Sequence, residues 1–173
     1  MLKIIVTGPE SSGKTTLCKA LSEHYKIPFT KEFARGYLTD LGKNYLQEDL
    51  LEIAVGQLEN EQLTIGNQQI SLHDTDLITI KIWSDYKYGN CNNWILEQIE
   101  KQKFENRFYL LCKPDLKWDY DQLRENPTNR NELLEIYKQE LENLGHKFII
   151  IKGEDRNEHA KYIRNQEIPS LFH

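Results

Sequence analysis

Eight consecutive residues near the amino terminus, Gly8-Pro9-Glu10-Ser11-Ser12-Gly13-Lys14-Thr15, restrict what this chain can fold into more than any other feature. They spell GxxxxGK[ST] in full and stand between a short β-rich apolar run, Leu2–Thr7, and a helical pattern over Thr16–Tyr25. That context gives the pattern a mechanism. Successive backbone N–H groups in such a turn curl into an anion-binding concavity, and the start of the following helix adds partial positive charge. Gly8 and Gly13 let the backbone approach a phosphate, Lys14 offers a point charge to β- and γ-phosphates, and the Thr15 hydroxyl suits Mg²⁺. The stretch from Gly8 through Thr16 is therefore the expected nucleotide-binding set, with ATP and Mg²⁺ as expected cofactors.

The rest of the chain alternates. Apolar runs at Phe29–Lys31, Ile70–His73, Phe108–Cys112 and Phe148–Ile151 read as strands. Between them, Phe33–Leu41, Glu48–Thr64, Leu77–Tyr88, Trp94–Lys103 and Asn131–Leu144 carry helical periodicity, and a last helix is expected near Asn157–Gln166. Strands separated by helices predict an α/β fold, a parallel sheet covered on both faces. The 173 residues suffice for about one domain, expected over 1–167 with a loose tail at 168–173. The polar segment at about 114–130, with two prolines and several charges, is long for a connection and is expected to be a moving lid.

A phosphate loop needs a carboxylate for hydrated Mg²⁺. Asp74 follows the Ile70–His73 run at the sheet edge where ligands bind, and Asp76 lies two residues on. The first is expected to hold the metal together with Thr15, and both to stand near an acceptor. Glu32 and Arg35 share a helical face after the second strand, with Arg35 as the expected orienting partner of Glu32. Arg124 and Arg130, carried in by the lid, would neutralise charge on a transferring phosphoryl group. Trp118 is placed to stack on a flat ligand and Arg156 on adenine, whereas Trp83 and Trp94 read as core and His73 as structural.

Charge and spacing exclude other classes. Lys+Arg 22 against Asp+Glu 27 leaves a net charge of −5, unsuited to a nucleic-acid partner. No apolar run approaches a membrane span, and Cys18, Cys91 and Cys112 fit no metal spacing, so a cytoplasmic protein with free thiols is expected. Lys113-Pro114-Asp115 echoes a guanine-reading motif, but Cys112 stands where Asn is required, and Asp74-Thr75-Asp76-Leu77 lacks the switch glycine. A helicase or AAA-type motor would be larger and would often place Glu, not Thr75, after Asp74. A small-molecule kinase suits the size, the lid arginines and the extra acids. The competing class is a nucleotide-binding regulatory module that hydrolyses ATP slowly.

The Gly8–Thr15 loop, Glu32 with Arg35, Gly56-Gln57, Asp74-Thr75-Asp76, and Trp118 with Arg124 together resemble the ribosylnicotinamide kinase domain of NadR-type NAD-salvage proteins, from Met1 to about Ile163. The resemblance implies a P-loop kinase core with strand order 2-3-1-4-5 and ATP-dependent phosphorylation of nicotinamide riboside at its 5′-hydroxyl, giving nicotinamide mononucleotide. Because the sequence starts at the phosphate-loop strand, the adenylyltransferase step that NadR-type proteins commonly carry is not expected from it, and another nucleoside-like acceptor stays open. The catalytic set expected is Lys14, Arg124, and either Asp76 or Glu32 as the base, with Glu32, Arg35, Asp74, Asp76 and Trp118 around the acceptor.

Overall fold

Near-continuous apolar strands joined by amphipathic helices have one economical arrangement, a parallel sheet buried on both faces. The computed structural model, which describes residues 1–65, 69–121, 123–153 and 155, has that arrangement. The elements run β1 (Leu2–Thr7), α1 (Lys14–Tyr25), β2 (Phe29–Thr30), α2 (Phe33–Leu41), α3 (Gln47–Ile65), β3 (Ile70–Asp74), α4 (Leu77–Tyr88), α5 (Asn93–Gln102), β4 (Arg107–Cys112), α6 (Arg130–Asn143) and β5 (Lys147–Ile151). All pairings are parallel, in the order β2-β3-β1-β4-β5. The expected helix near 157–166, Arg156 and the tail lie outside the described residues.

Alternation along each strand divides the core. Ile4, Val6, Leu110 and Cys112 point to the face covered by α1 through Leu17, Cys18 and Leu21. Ile5, Tyr109 and Leu111 point to the opposite face, under α2 to α6. Central β1 pairs with β3 on one side and β4 on the other, so the chain reverses its direction of travel across the sheet there. The crevice at such a reversal, at the carboxyl ends of the strands, is where open α/β sheets bind ligands, and the Gly8–Thr15 loop leaves β1 at that point. Among the described residues, no helix is long and apolar enough to cross a membrane.

The second face also buries charge. Arg107 on β4 bonds Glu61 of α3 and, at 3.3 Å, Asp76 at the start of α4. Lys3 reaches Glu61 and Glu105, both at 2.7 Å. The Tyr109 hydroxyl donates to Asp76 at 2.7 Å. Burial pushes the Glu61 carboxyl up, but Arg107 and Lys3 outweigh it and hold it below the ordinary carboxylate range. Beside this group His73, fully buried, pairs with Thr30 and Ser71, and burial pulls its pKa down to about 4, so the imidazole stays neutral. It is the structural residue that the sequence suggests.

Removing one member of a buried ionic group strands its partners. Arg107→Met should cost about 3–5 kcal/mol in urea unfolding at neutral pH, because Glu61 and Asp76 lose their shared cation. A loss below about 1 kcal/mol, the range of surface pairs, would show that the cluster contributes little.

Candidate active site

The loop between β1 and α1 is shaped by backbone packing. Gly8 has φ 132°, and a Cβ there would come within 2.6 Å of the Cys112 carbonyl oxygen, so only glycine lets the loop lie against β4. Ser12 Oγ closes the turn on the Pro9 carbonyl at 2.7 Å. The Lys14 ammonium is held across the loop by the carbonyls of Gly8 and Pro9, each at 3.0 Å. Gly13 caps α1 without a side-chain acceptor, so the first-turn N–H groups are left to an outside anion.

Thr15 Oγ1 donates to Asp74 Oδ2 at 2.6 Å, joining the loop to the end of β3. The other carboxylate oxygen, Oδ1, is buried and has no hydrogen-bond partner. Burial pushes the Asp74 pKa up to about 6, and repulsion from Glu32 adds to it against the pull of Thr15 and Lys14. A hydroxyl beside an orphaned carboxylate oxygen fits Mg²⁺, which keeps most of its waters and takes the rest of its shell from phosphate. No cluster of three or more His, Cys, Asp or Glu among the described residues offers an all-protein cage instead.

Asp76 requires a correction. Thr75 adopts φ 69°, with its N–H on the Val6 carbonyl at 2.9 Å, and this left-handed step sends the two flanking carboxylates to opposite places. Asp74 meets the loop. Asp76 is fully buried, caps α4 by accepting from the Ile78 N–H at 3.1 Å, and bonds Tyr109 and Arg107. Sealed in this way, it does not reach the cavity beside the phosphate loop and is not placed to bind an acceptor or to take its proton.

Glu32 is positioned by the Gly56-Gln57 pair. A Cβ on Gly56 would fall 2.3 Å from the Phe33 ring, so glycine lets α3 and α2 close together. Gln57, buried, then accepts the Phe33 N–H at 2.8 Å and reaches the Thr75 carbonyl at 3.5 Å, fixing the start of α2 against the end of β3. Glu32 is thereby set at the head of α2, on the rim of a cavity floored by the phosphate loop. Arg35 lies on the same rim, but its partner is Asp121, at 2.8 Å, and not Glu32 as the spacing suggests. A neighbouring open cleft on the α2 side shares Thr15, Glu32 and Arg35 and reaches Asp74.

The cavity walls were only partly legible beforehand. Thr79, Ile82, Trp83 and Tyr86, one face of α4, form one wall, and Leu133 and Tyr137 of α6 form another. Trp83 is thus a cavity residue that also packs on the core, a correction to its reading as core alone. The spacing of these α4 residues marks a face that adjoins the buried Leu77, Ile78 and Ile80 and shares Ile82 with the core, without saying which face meets a cavity.

The long connection from β4 to α6 is pinned onto the phosphate loop. The Glu125 and Asn126 N–H groups donate to the Glu10 carboxylate at 3.0 and 2.9 Å, and the Asp119 N–H donates to Ser11 Oγ at 3.1 Å. Arg124 lines the cavity, its guanidinium held by Asp119. Arg130 bonds the Ser11 and Leu116 carbonyls at 3.2 Å and covers the Trp118 ring at 5.5 Å. Trp118 accordingly stacks with Arg130 and is not among the cavity walls. The fold therefore gathers Lys14, Thr15, Glu32, Arg35, Asp74, Arg124 and Arg130 around the loop.

The family model described as "AAA domain" matches residues 3–158. Length and Thr75 weigh against an AAA-type motor, and the match, which is to the P-loop domain, says nothing of motor activity. No curated protein matches the chain. Among solved structures, NadR protein in complex with NR is similar at TM-score 0.70 and 22% identity, over 94% of this chain and 50% of that one. The chain thus spans half the length of that relative. Deoxyadenosine kinase from M. mycoides, with products dCMP and dCDP, is similar at TM-score 0.58 and 14% identity, over 98% and 100% of the two chains. The YorR protein of Bacillus subtilis, in complex with phosphorylated GDP, is similar at TM-score 0.56 and 19% identity, over 99% of each chain.

A carboxylate whose folded pKa lies above its unfolded value of 3.8 weakens the fold when ionised, an effect absent below the lower value and complete above the higher. Asp74→Asn should therefore stabilise the protein by about 1–3 kcal/mol at pH 7.5, a gain that fades as pH falls from 6 towards 4. Urea unfolding across that pH range tests it; a variant no more stable than the wild type at pH 7.5 would refute the assignment.

Proposed function

The chain belongs to the AAA-domain family, and from that premise we propose that it is an ATP-dependent small-molecule kinase whose acceptor is nicotinamide riboside, phosphorylated at the 5′-hydroxyl. The observation that carries the reading is a cavity with aromatic and aliphatic walls whose floor is the phosphate loop and whose rim holds Glu32. A pure hydrolase or switch has no need of such a chamber beside its triphosphate. The likeness in fold to NadR protein and to a deoxyadenosine kinase supports the same class of reaction.

In this mechanism the loop amides and Lys14 bind the β- and γ-phosphates, and the acceptor's flat group packs between the α4 and α6 walls. Thr15 and Asp74 would hold Mg²⁺, which when bound neutralises phosphate charge. Glu32 binds the ribose and takes the proton of the 5′-hydroxyl as its oxygen bonds to the γ-phosphorus and the bond to the ADP oxygen breaks. With Asp76 sealed in the core, Glu32 is the carboxylate left for this role. Arg124, released from Asp119 towards the cavity, neutralises the transferring group, while the β4–α6 connection acts as a lid and excludes water.

A second reading has its own support. The deoxyadenosine kinase is matched over its whole length and NadR protein over half, so a deoxynucleoside is the rival acceptor. ADP release measured with nicotinamide riboside, deoxyadenosine and deoxycytidine separates them. Nicotinamide riboside is expected to stimulate the rate most; stimulation by a deoxynucleoside alone moves the acceptor to that class, and a rate indifferent to all three favours a regulatory module.

Two substitutions assign the roles. Lys14→Ala should lower turnover by about 10²–10³-fold with the fold intact by circular dichroism. Glu32→Gln should lower kcat by about 10²–10⁴-fold while leaving ATP affinity unchanged. Wild-type-like kcat in the glutamine variant would remove Glu32 from proton transfer.

A further inference from the structure

Glu125 is bonded at both ends. Its backbone N–H, with that of Asn126, meets the carboxylate of Glu10 in the phosphate loop. Its side chain points the other way: Oε2 accepts the Tyr45 hydroxyl at 2.6 Å and Oε1 accepts the Lys87 ammonium at 2.7 Å. Tyr45 in turn accepts the indole N–H of Trp83 at 2.7 Å, its ring edge-on to the tryptophan with centroids 4.9 Å apart, and Lys87 sits 3.8 Å over the Tyr45 ring. Trp83 is a wall of the cavity. An unbroken series of hydrogen bonds therefore runs Glu10, Glu125, Tyr45, Trp83, from the nucleotide loop to the surface against which an acceptor packs.

Tyr45 and Trp83 pack on the core, but the bonds from Glu125 to Tyr45 and Lys87 lie at the exposed surface. The Lys87–Glu125 pair is about one-third exposed on both sides, and such a pair alone stabilises a fold little. Its consequence lies in connection. Burial pushes the Glu125 carboxyl up, but Lys87 and Tyr45 more than offset this, so it stays an ionised acceptor for both. A residue held at once by the loop and by the wall makes the arrangement of each depend on the other, which is a coupling free energy between two sites.

We propose that Glu125 is a positioning residue that transmits occupancy of the phosphate loop to Trp83, and so sets the wall that the acceptor meets. The proposal rests on the kinase reading for the identity of the two sites, but its test needs no acceptor. The indole N–H signal of Trp83, assigned among Trp83, Trp94 and Trp118 by Trp83→Phe, is followed by NMR while AMP-PNP is added to the full chain. In the wild type that signal should move on binding, although Trp83 is not part of the loop. In Glu125→Gln and in Tyr45→Phe, AMP-PNP affinity should stay within about threefold of the wild type and the displacement should shrink to about a third or less.

An equal displacement in both variants, or none in the wild type, overturns the proposal. So does wild-type protein that fails to bind AMP-PNP, which removes the nucleotide reading as well. Displacement through Glu125 in a protein that phosphorylates no acceptor leaves the coupling standing and removes the kinase. Riboside phosphorylation with an unmoved Trp83 does the reverse.

Discussion

One hydrogen bond, from the Thr75 N–H to the Val6 carbonyl, holds the chain in a left-handed step that β-branched residues rarely adopt. Such a step costs about 1–3 kcal/mol and persists because its surroundings over-determine it. Here Gln57 reaches the Thr75 carbonyl from one side, and Asp76 is clamped by Tyr109, Arg107 and the head of α4 on the other. What the step achieves is separation. One carboxylate of a closely spaced pair is delivered to Thr15 and the phosphate loop, and the other is locked into the ionic core. The buried charge under α3 and α4 thus serves the site at a distance, by fixing the backbone on which Asp74 stands.

The phosphate loop, the succession of strands and helices along the chain, and the place of Asp74 near Thr15 were legible because they follow from short-range pattern: a motif with fixed spacing, apolar runs, and a carboxylate at a strand end; the sheet order was implied by resemblance alone. What was not legible depends on side-chain direction or on contacts remote in sequence. Asp76 reads as a twin of Asp74 until the dihedral of Thr75 is known. Arg35 and Glu32 share a helical face, yet Asp121, far along the chain, is the arginine's partner. Trp83 lies in a helix with apolar residues on more than one face, and periodicity alone does not say which of them meets a cavity. The ionic group of Lys3, Glu61 and Arg107 has no short-range signal, since three separate elements bring its members together. The Gly56-Gln57 pair entered through resemblance, and the contact with Phe33 supplies its physical reason.

Electrostatics at the site follow from crowding acids beside a cationic loop. Asp74 is buried near Glu32 and carries one unsatisfied oxygen, a strained state for a carboxylate. Proteins commonly tolerate such groups where function needs them, at a cost in stability made up elsewhere. An incoming cation would satisfy the oxygen and relieve the repulsion together, so the site is preorganised for positive charge on one side and for phosphate on the other.

The edge of the sheet carries a last implication. β2 is only two residues long and is joined to β3 through Phe29 opposite Leu72 and Thr30 opposite His73. It nonetheless carries the chain directly into Glu32 and α2. A short edge strand opens locally at far lower free energy than central strands such as β1, so amide protons there should exchange with solvent well before those of the sheet interior. The acid at the cavity rim is therefore carried by a short edge strand, where local opening costs less than in the middle of the sheet.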